Sequence, residues 1–369
     1  MIFKKKILIV EINPYHGEIL PGFCRLFQIM GFKVDILMRK EVYKMNPFVY
    51  YSKTELPNIS YGDAEFIKDR LKNINQNDYL LLFFSTNVFW ESNYNYSSVI
   101  RYLKFIPSGI LGSLFIEHNN LSLQYDDALE LLQQGRVFNL LNYKYKNIKI
   151  KSFNPHYFGS VPIFDGNKGN KKNILVIGRS NFNKTNLKKI YRVVDEFDDK
   201  FSFTLIGGNV VVDNRYKEQI IIKGRLNFKD LYNEIAKCDY LLAMLENDIE
   251  DEFERTKYFS GTTSGTVQLS LGFNKPMIIG QLFAKNYGFD NSSSVIYKKD
   301  LLEAFNLINK TEMSKYNKMR ATISNKARIM DSESVSNIKH FIYMQKIKKI
   351  IGLIKKEDRL ITREINLNE

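Results

Sequence analysis

The chain has 369 residues, 44% hydrophobic and 14% aromatic, which excludes a disordered protein and favours two domains over one core. Against 40 Asp and Glu stand 54 Lys and Arg, and the formal charge of +14 points to a polyanionic partner: nucleic acid, an acidic membrane face or a phosphorylated substrate. Two cysteines, Cys24 and Cys238, form no metal or redox motif and read as buried thiols in a reducing cytosol.

The opening "MIFKKKILIVEINPYHG" is basic, but its short apolar run from Ile7 to Ile12 reads as a strand buried on both faces of a parallel sheet, not as a signal peptide. Ile19, Leu20, Phe23, Leu26, Phe27 and Met30 follow helical spacing, with Pro21 in the first turn and Gly31 as the C-terminal cap. Val34 to Met38 resume the sheet. Further strands are expected at Tyr79 to Phe84 and Ser113 to Ile116, ending in the polar stretches "STNVFWESN" and "EHNN". Ligands of open α/β sheets bind at the carboxyl ends of strands, so these endings are where chemistry is sought. No run approaches the ~20 apolar residues of a membrane span, so the protein reads as soluble or peripheral.

Residues 165–172, "DGNKGNKK", have linker composition, and the same pattern then restarts. Strands are expected at Asn173 to Gly178, Phe201 to Ile206, Ile220 to Ile222, Tyr240 to Leu245 and Met277 to Ile279. Helices fall at Leu187 to Phe197 and Phe228 to Ala236, and Asp300 with Glu303 makes a capping-box-like start for another. The expected fold class is α/β, with two Rossmann-like domains: residues 1–164, then the linker, then 173–330. Residues 331–369 read as a C-terminal amphipathic helix that returns across the junction. Its apolar residues lie at 338, 341, 342, 347, 350, 351 and 354, with lysines between them, so an anionic membrane surface is a second candidate for that face.

Two motifs point to phosphate. "SGTTSGTVQLSLGFNKPMIIG", 260–280, opens a helix with hydroxyl and glycine residues, and a helix N-terminus offers unpaired amides and partial positive charge. Ser264 would be its N-cap, while Gly265 and Thr266 would admit a phosphate. "GRSNFNKTN", 178–186, follows the first strand of the same half. Gly178 lets the chain turn, and Arg179 and Lys184 place two permanent cations at the carboxyl edge of the sheet.

These elements, with "FTLIGG" and "IIIKGRLNFKDLYNEIAKCDYLLAML" between them, resemble the nucleotide-binding domain of bacterial GT-B glycosyltransferases, the group that builds surface polysaccharide and lipopolysaccharide. The resemblance spans roughly 173–310. It implies two domains facing across a cleft, and a nucleotide-diphosphate sugar whose diphosphate is gripped by Arg179 and Lys184. It also implies a helix-opening loop at Gly265 and Thr266 followed by Gly272 and Pro276. Many retaining members carry two glutamates around this helix. Here Phe259 and Val267, or Ser260 and Gln268, stand in their places, so Gln268 becomes a candidate for the ribose contact. The first half would hold the acceptor, a glycan and most simply a lipid-linked one. The resemblance places His118 at the end of a central strand facing the transferred sugar. His16 and Glu18 lie on the loop after the first strand, and Glu91 is a fourth candidate. A base that deprotonates the acceptor hydroxyl would come from this set.

No metal is implied, since no Asp-x-Asp triplet or His/Cys cluster occurs, and no cofactor beyond the sugar nucleotide. Arg179, Lys184 and the helix end would neutralise the leaving diphosphate. The expected site is cytoplasmic, peripheral on the inner face of the cell membrane. Other classes fare worse. A nicotinamide dehydrogenase would need Gly-x-Gly-x-x-Gly where "EINPYHGEILPG" stands, and a nucleic-acid binder would need a recognition motif that is missing. A GT-B-shaped sugar-nucleotide epimerase is the nearest rival.

Overall fold

The computed structural model describes residues 6–14, 16–75, 77–86, 88–90, 96–98, 110–116, 126–162, 171–178, 184–208, 210–244 and 264–365. In the first half the chain runs through β1 (Lys6–Glu11), α1 (Leu20–Ile29), β2 (Lys33–Arg39), α2 (Lys40–Met45), β3 (Asn58–Gly62), α3 (Ala64–Lys72) and β4 (Tyr79–Phe84). A small hairpin of β5 (Val88–Trp90) and β6 (Tyr96–Ser98) follows. Then come β7 (Leu111–Ile116), α4 (Asp126–Gln133), β8 (Val137–Asn139), β9 (Tyr143–Tyr145) and β10 (Ile148–Ser152). One sheet results, in the order β3-β2-β1-β4-β7-β8-β10-β9, parallel except for β9 on its edge.

The second half contains β11 (Lys172–Ile177), α5 (Lys184–Phe197), β12 (Phe201–Ile206), β13 (Ile220–Ile222), α6 (Phe228–Lys237), β14 (Tyr240–Leu242) and α7 (Gly265–Phe273). It continues with β15 (Met277–Gly280), α8 (Gln281–Asn286), β16 (Ser294–Tyr297), α9 (Leu301–Asn309) and α10 (Met313–Ile365). Its sheet has the order β13-β12-β11-β14-β15-β16, and every pairing in it is parallel. Both sheets reverse direction beside their first strand, so each has a topological switch point, between β1 and β4 and between β11 and β14.

Alternation along the central strands explains why each sheet is covered on both faces. Ile7 and Ile9 of β1 enter one core cluster and Leu8 and Val10 another. In β11, Ile174 and Val176 face one cluster and Leu175 the opposite one. Side chains of a strand alternate faces, so a run that is apolar at every position must be buried on both. Cys24 and Cys238 are both buried free thiols, pushed up to about 12 chiefly by burial.

Ends match local chemistry. Pro21 sits in the first turn of α1, and Gly31 takes the left-handed conformation (φ +85°) beyond its last turn. Asp300 caps α9 by accepting from the Leu302 amide at 3.1 Å. Glu303 does not close the reciprocal half of a capping box; it accepts from the Lys298 amide at 2.9 Å instead.

The helix expected over Ser336 to Lys356 is the far part of α10, a single 53-residue helix about 80 Å long at 1.5 Å per residue. Its first turns belong to the second half: Tyr316 and Met319 enter that core, and the Tyr316 hydroxyl donates to the Asp239 carbonyl at 2.9 Å. Further on, Ile338, Phe341 and Ile342 are buried in the first-half core, where Phe341 meets the Phe138 ring at 5.4 Å. The helix therefore packs across the junction and ties the halves together. Among the described residues, no helix is long and apolar enough to cross a membrane.

Candidate functional site

At the carboxyl edge of the second sheet three strands end in glycines with positive φ: Gly178 after β11 (124°), Gly207 after β12 (115°) and Gly224 after β13 (53°). The Gly178 amide donates to the Ile206 carbonyl at 3.1 Å, and the Gly207 amide to the Gly224 carbonyl at 2.7 Å. A Cβ built on Gly207 would lie 3.5 Å from the Gly178 nitrogen. Together they form a shelf of backbone without side chains, in which main-chain atoms stand at close quarters.

The second phosphate motif folds as capping chemistry requires. Ser264 is the N-cap of α7, and its hydroxyl accepts from the Thr266 amide at 3.3 Å. Among the described residues a Cβ on Gly265 would meet nothing within 4 Å, so none of them closes the mouth of the helix there. In a parallel β–α–β crossover the helix returns from the carboxyl edge, which places its first turn on the same edge as Gly178. Thr266 and Gln268 are buried, and Gln268 is only 3% exposed. Neither atom of the Gln268 amide has a hydrogen-bond partner among the described residues. A buried amide left in that state costs about 1–3 kcal/mol, which a ligand that bonds to it would recover.

The rest of the "GFNKP" turn is structural. A Cβ on Gly272 would collide with the His156 carbonyl oxygen and the Phe158 ring, so this glycine lets α7 press against the segment leaving the first half. Asn274 caps the helix in the left-handed region (φ 52°). Lys275 is buried and donates to the Ala236 and Cys238 carbonyls at 2.7 and 2.6 Å, capping the C-terminal end of α6. Burial holds its ammonium below the usual lysine range.

In the first half, His16 and Glu18 are brought together, His16 Nδ1 lying 3.5 Å from Glu18 Oε1. Their loop meets the other half. A Cβ on the intervening Gly17 would stand 2.6 Å from Val42 Cγ1 and 3.2 Å from the Phe228 ring at the start of α6. One turn on, the Tyr232 hydroxyl is buried without a hydrogen-bond partner among the described residues, and burial first, then the Glu18 carboxylate, hold the phenol well above its ordinary pKa. The Tyr50 hydroxyl bridges the halves nearby, donating to Asn233 Oδ1 at 2.6 Å.

The run from Ile7 to Ile12 is not apolar throughout: Glu11 ends β1 and is fully buried. Its Oε2 accepts from the Ser85 hydroxyl at 2.7 Å, and its Oε1 from the Thr86 hydroxyl at 3.0 Å and the Asn13 amide at 2.6 Å. A buried carboxylate at the switch point thus fastens the loop that carries His16 to the end of β4. A charge inside an otherwise apolar strand was the available signal for it.

Of the remaining candidates, Lys184 is the first residue of α5. Arg179, His118 and Glu91 lie outside the described residues. Among the described residues no group of three or more His, Cys, Asp or Glu converges.

Neither a protein-family model nor a curated protein matches this sequence. Solved structures do. A glycosyltransferase from Rickettsia africae ESF-5 is 13% identical, with a TM-score of 0.55 over 94% of this chain and 99% of that one. Anabaena Alr3699/HepE in complex with UDP-glucose is 11% identical, with a TM-score of 0.51 over 93% and 99%. The glycotransferase of kitacinnamycin is 10% identical, with a TM-score of 0.50 over 92% and 99%. At this identity the likeness is one of fold. The chain has the GT-B architecture, two Rossmann-like halves facing across a cleft.

Proposed function

We propose that the chain is a glycosyltransferase that moves a sugar, a hexose type, from a nucleotide-diphosphate donor to a glycan acceptor. The observation that carries this reading is the pairing, on one sheet edge, of the glycine shelf at Gly178, Gly207 and Gly224 with a helix mouth that is open, and a Gln268 amide that lacks a partner, among the described residues. The GT-B fold is shared with a protein whose structure contains UDP-glucose, which makes a uridine nucleotide the first donor to try.

In this reading the diphosphate lies on the shelf. Gly265 and Thr266 offer it the positive end of α7, and Arg179 and Lys184 supply the cations. Gln268 takes the ribose contact. The acceptor oxygen forms its bond to the anomeric carbon as the bond from that carbon to the diphosphate breaks. A base in the first half, drawn from His118, His16 and Glu18, removes the hydroxyl proton. The negative charge released on the diphosphate is met by fixed cations and amides, with no metal needed, and preorganised donors of this kind each contribute a factor of about 10²–10³ in rate.

The acceptor is proposed to be a lipid-linked glycan of surface polysaccharide synthesis, handled on the cytoplasmic face of the membrane. The +14 charge and the lysine-bearing far end of α10 support that location. Incubating the purified protein with UDP-sugars and lipid-linked acceptors tests the activity through release of UDP that depends on acceptor. Epimerisation of the donor without acceptor would replace the reading. Sedimentation with anionic vesicles at low salt tests the membrane clause, which absence of binding removes.

A further inference from the structure

A cavity of about 690 Å³ lies between the halves. Arg225 and Asn227 form its wall on the second half, directly after shelf residue Gly224. Pro14, Arg39, Lys44 and Met45 face them from the first half. Among the described residues the lining holds three cations and one carboxylate, Glu41. That carboxylate is matched by Arg39, whose Nε and Nη2 donate to its two oxygens at 3.1 and 3.2 Å. Lys44 makes no ion pair among the described residues, and Arg225 Nη2 reaches across the junction to Met45 Sδ at 3.7 Å. Cations thus outnumber carboxylates in the described lining, and they come from both sides.

We propose that this cavity seats the anionic group of the acceptor, a phosphate or diphosphate ester, at Lys44 and Arg225, with Arg39 held in place beside them by Glu41. The proposal rests on the glycosyltransferase reading above. Five of the eight described lining residues come from the first half, whereas the donor's shelf and helix mouth, as proposed, belong to the second. An acceptor anchored here by its charge contacts both halves at once. Its hydroxyl end is then free to meet the sugar held over the shelf. Arg supplies a planar fork for phosphate oxygens and Lys a point charge.

The test uses the full chain saturated with the nucleoside diphosphate that stabilises it most, titrated with inorganic pyrophosphate by calorimetry. Wild type is expected to bind pyrophosphate while nucleotide stays bound, more weakly as salt rises. Lys44→Glu and Arg225→Gln are each expected to weaken pyrophosphate by about tenfold and leave nucleotide affinity within about twofold. Lys44 is solvent-exposed, so its variant keeps the fold. A nucleotide-saturated protein that takes up no pyrophosphate overturns the proposal and leaves the transferase reading standing. So does a loss of nucleotide affinity in both variants, which would give the cavity to the donor. If no nucleotide binds at all, the transferase reading fails, and a pyrophosphate site lost in Lys44→Glu still marks the cavity as anion-binding. Competition by a soluble sugar phosphate or by micellar polyprenyl diphosphate tells the two acceptor sources apart. Displacement by either supports the proposal, and displacement by neither overturns it.

Discussion

Ser85 Oγ donates to Glu11 Oε2 at 2.7 Å, joining the ends of β4 and β1 where the first sheet changes direction. Glu11→Ala would remove the acceptor of the Thr86 hydroxyl and of the Asn13 amide, whereas the Ser85 hydroxyl keeps the Val10 carbonyl at 3.1 Å. Each buried donor so abandoned costs about 1–3 kcal/mol where water does not reach it. We expect a loss of about 3 kcal/mol in urea unfolding with unchanged slope. A loss under about 0.5 kcal/mol would mean that the carboxylate does not hold these loops.

Two glycines of α7 separate packing from ligand approach. Gly272→Ala drives a methyl group into the His156 carbonyl and the Phe158 ring, and overpacking of this kind costs about 1–3 kcal/mol. Gly265→Ala meets open space, so its stability is expected to stay within about 0.5 kcal/mol of wild type. Its donor affinity is expected to fall, because the new methyl group occupies the helix mouth. Thermal unfolding with and without nucleotide reads both effects, and equal nucleotide affinity in Gly265→Ala and wild type would contradict the second.

Gln268 gives a trade-off of opposite signs. Gln268→Leu removes two buried amide atoms that lack partners, so the unliganded protein is expected to gain about 1 kcal/mol. Nucleotide affinity is expected to drop about tenfold as the proposed ribose contact disappears. Destabilisation by Leu, with affinity unchanged, would make Gln268 a packing residue.

Much of this was legible beforehand. The parallel sheets follow from apolar runs such as Ile7–Val10 and Leu81–Phe84, and the caps at Gly31, Ser264 and Asp300 from local chemistry. The strands that escaped notice are short, polar or at an edge. In β3, "NISYG" offers no apolar run because its side chains are largely solvent-facing, and β9 alternates on the sheet rim. Gly272 and Lys275 show a different limit. Their reasons lie in His156, Ala236 and Cys238, partners remote in sequence that only the folded chain brings near. The cavity at Arg39, Lys44 and Arg225 has the same origin.

His156 gives the fold a pH dependence. The ring is buried, with Nε2 3.4 Å from Asp331 Oδ1 on α10, and burial lowers its pKa more than the carboxylate raises it. Below about pH 6.5 the unfolded chain's histidine takes up a proton that the folded ring does not, so stability falls as pH drops through that window. Burial raises the Asp331 carboxyl, which opposes the slope from its own side. An Asp331→Asn background removes that opposition. Urea midpoints between pH 5 and 7.5 should then fall with acid, and His156→Gln in that background should flatten the fall. Parallel curves would show that the ring does not titrate on unfolding.

The clamp on the donor diphosphate is tested most directly by calorimetric titration of UDP-sugars into wild type, Arg179→Ala and Lys184→Ala. Binding to wild type should weaken by about tenfold or more in each variant, while unliganded melting points hold. A nucleotide sugar bound equally well by all three proteins, or by none of them, would contradict it.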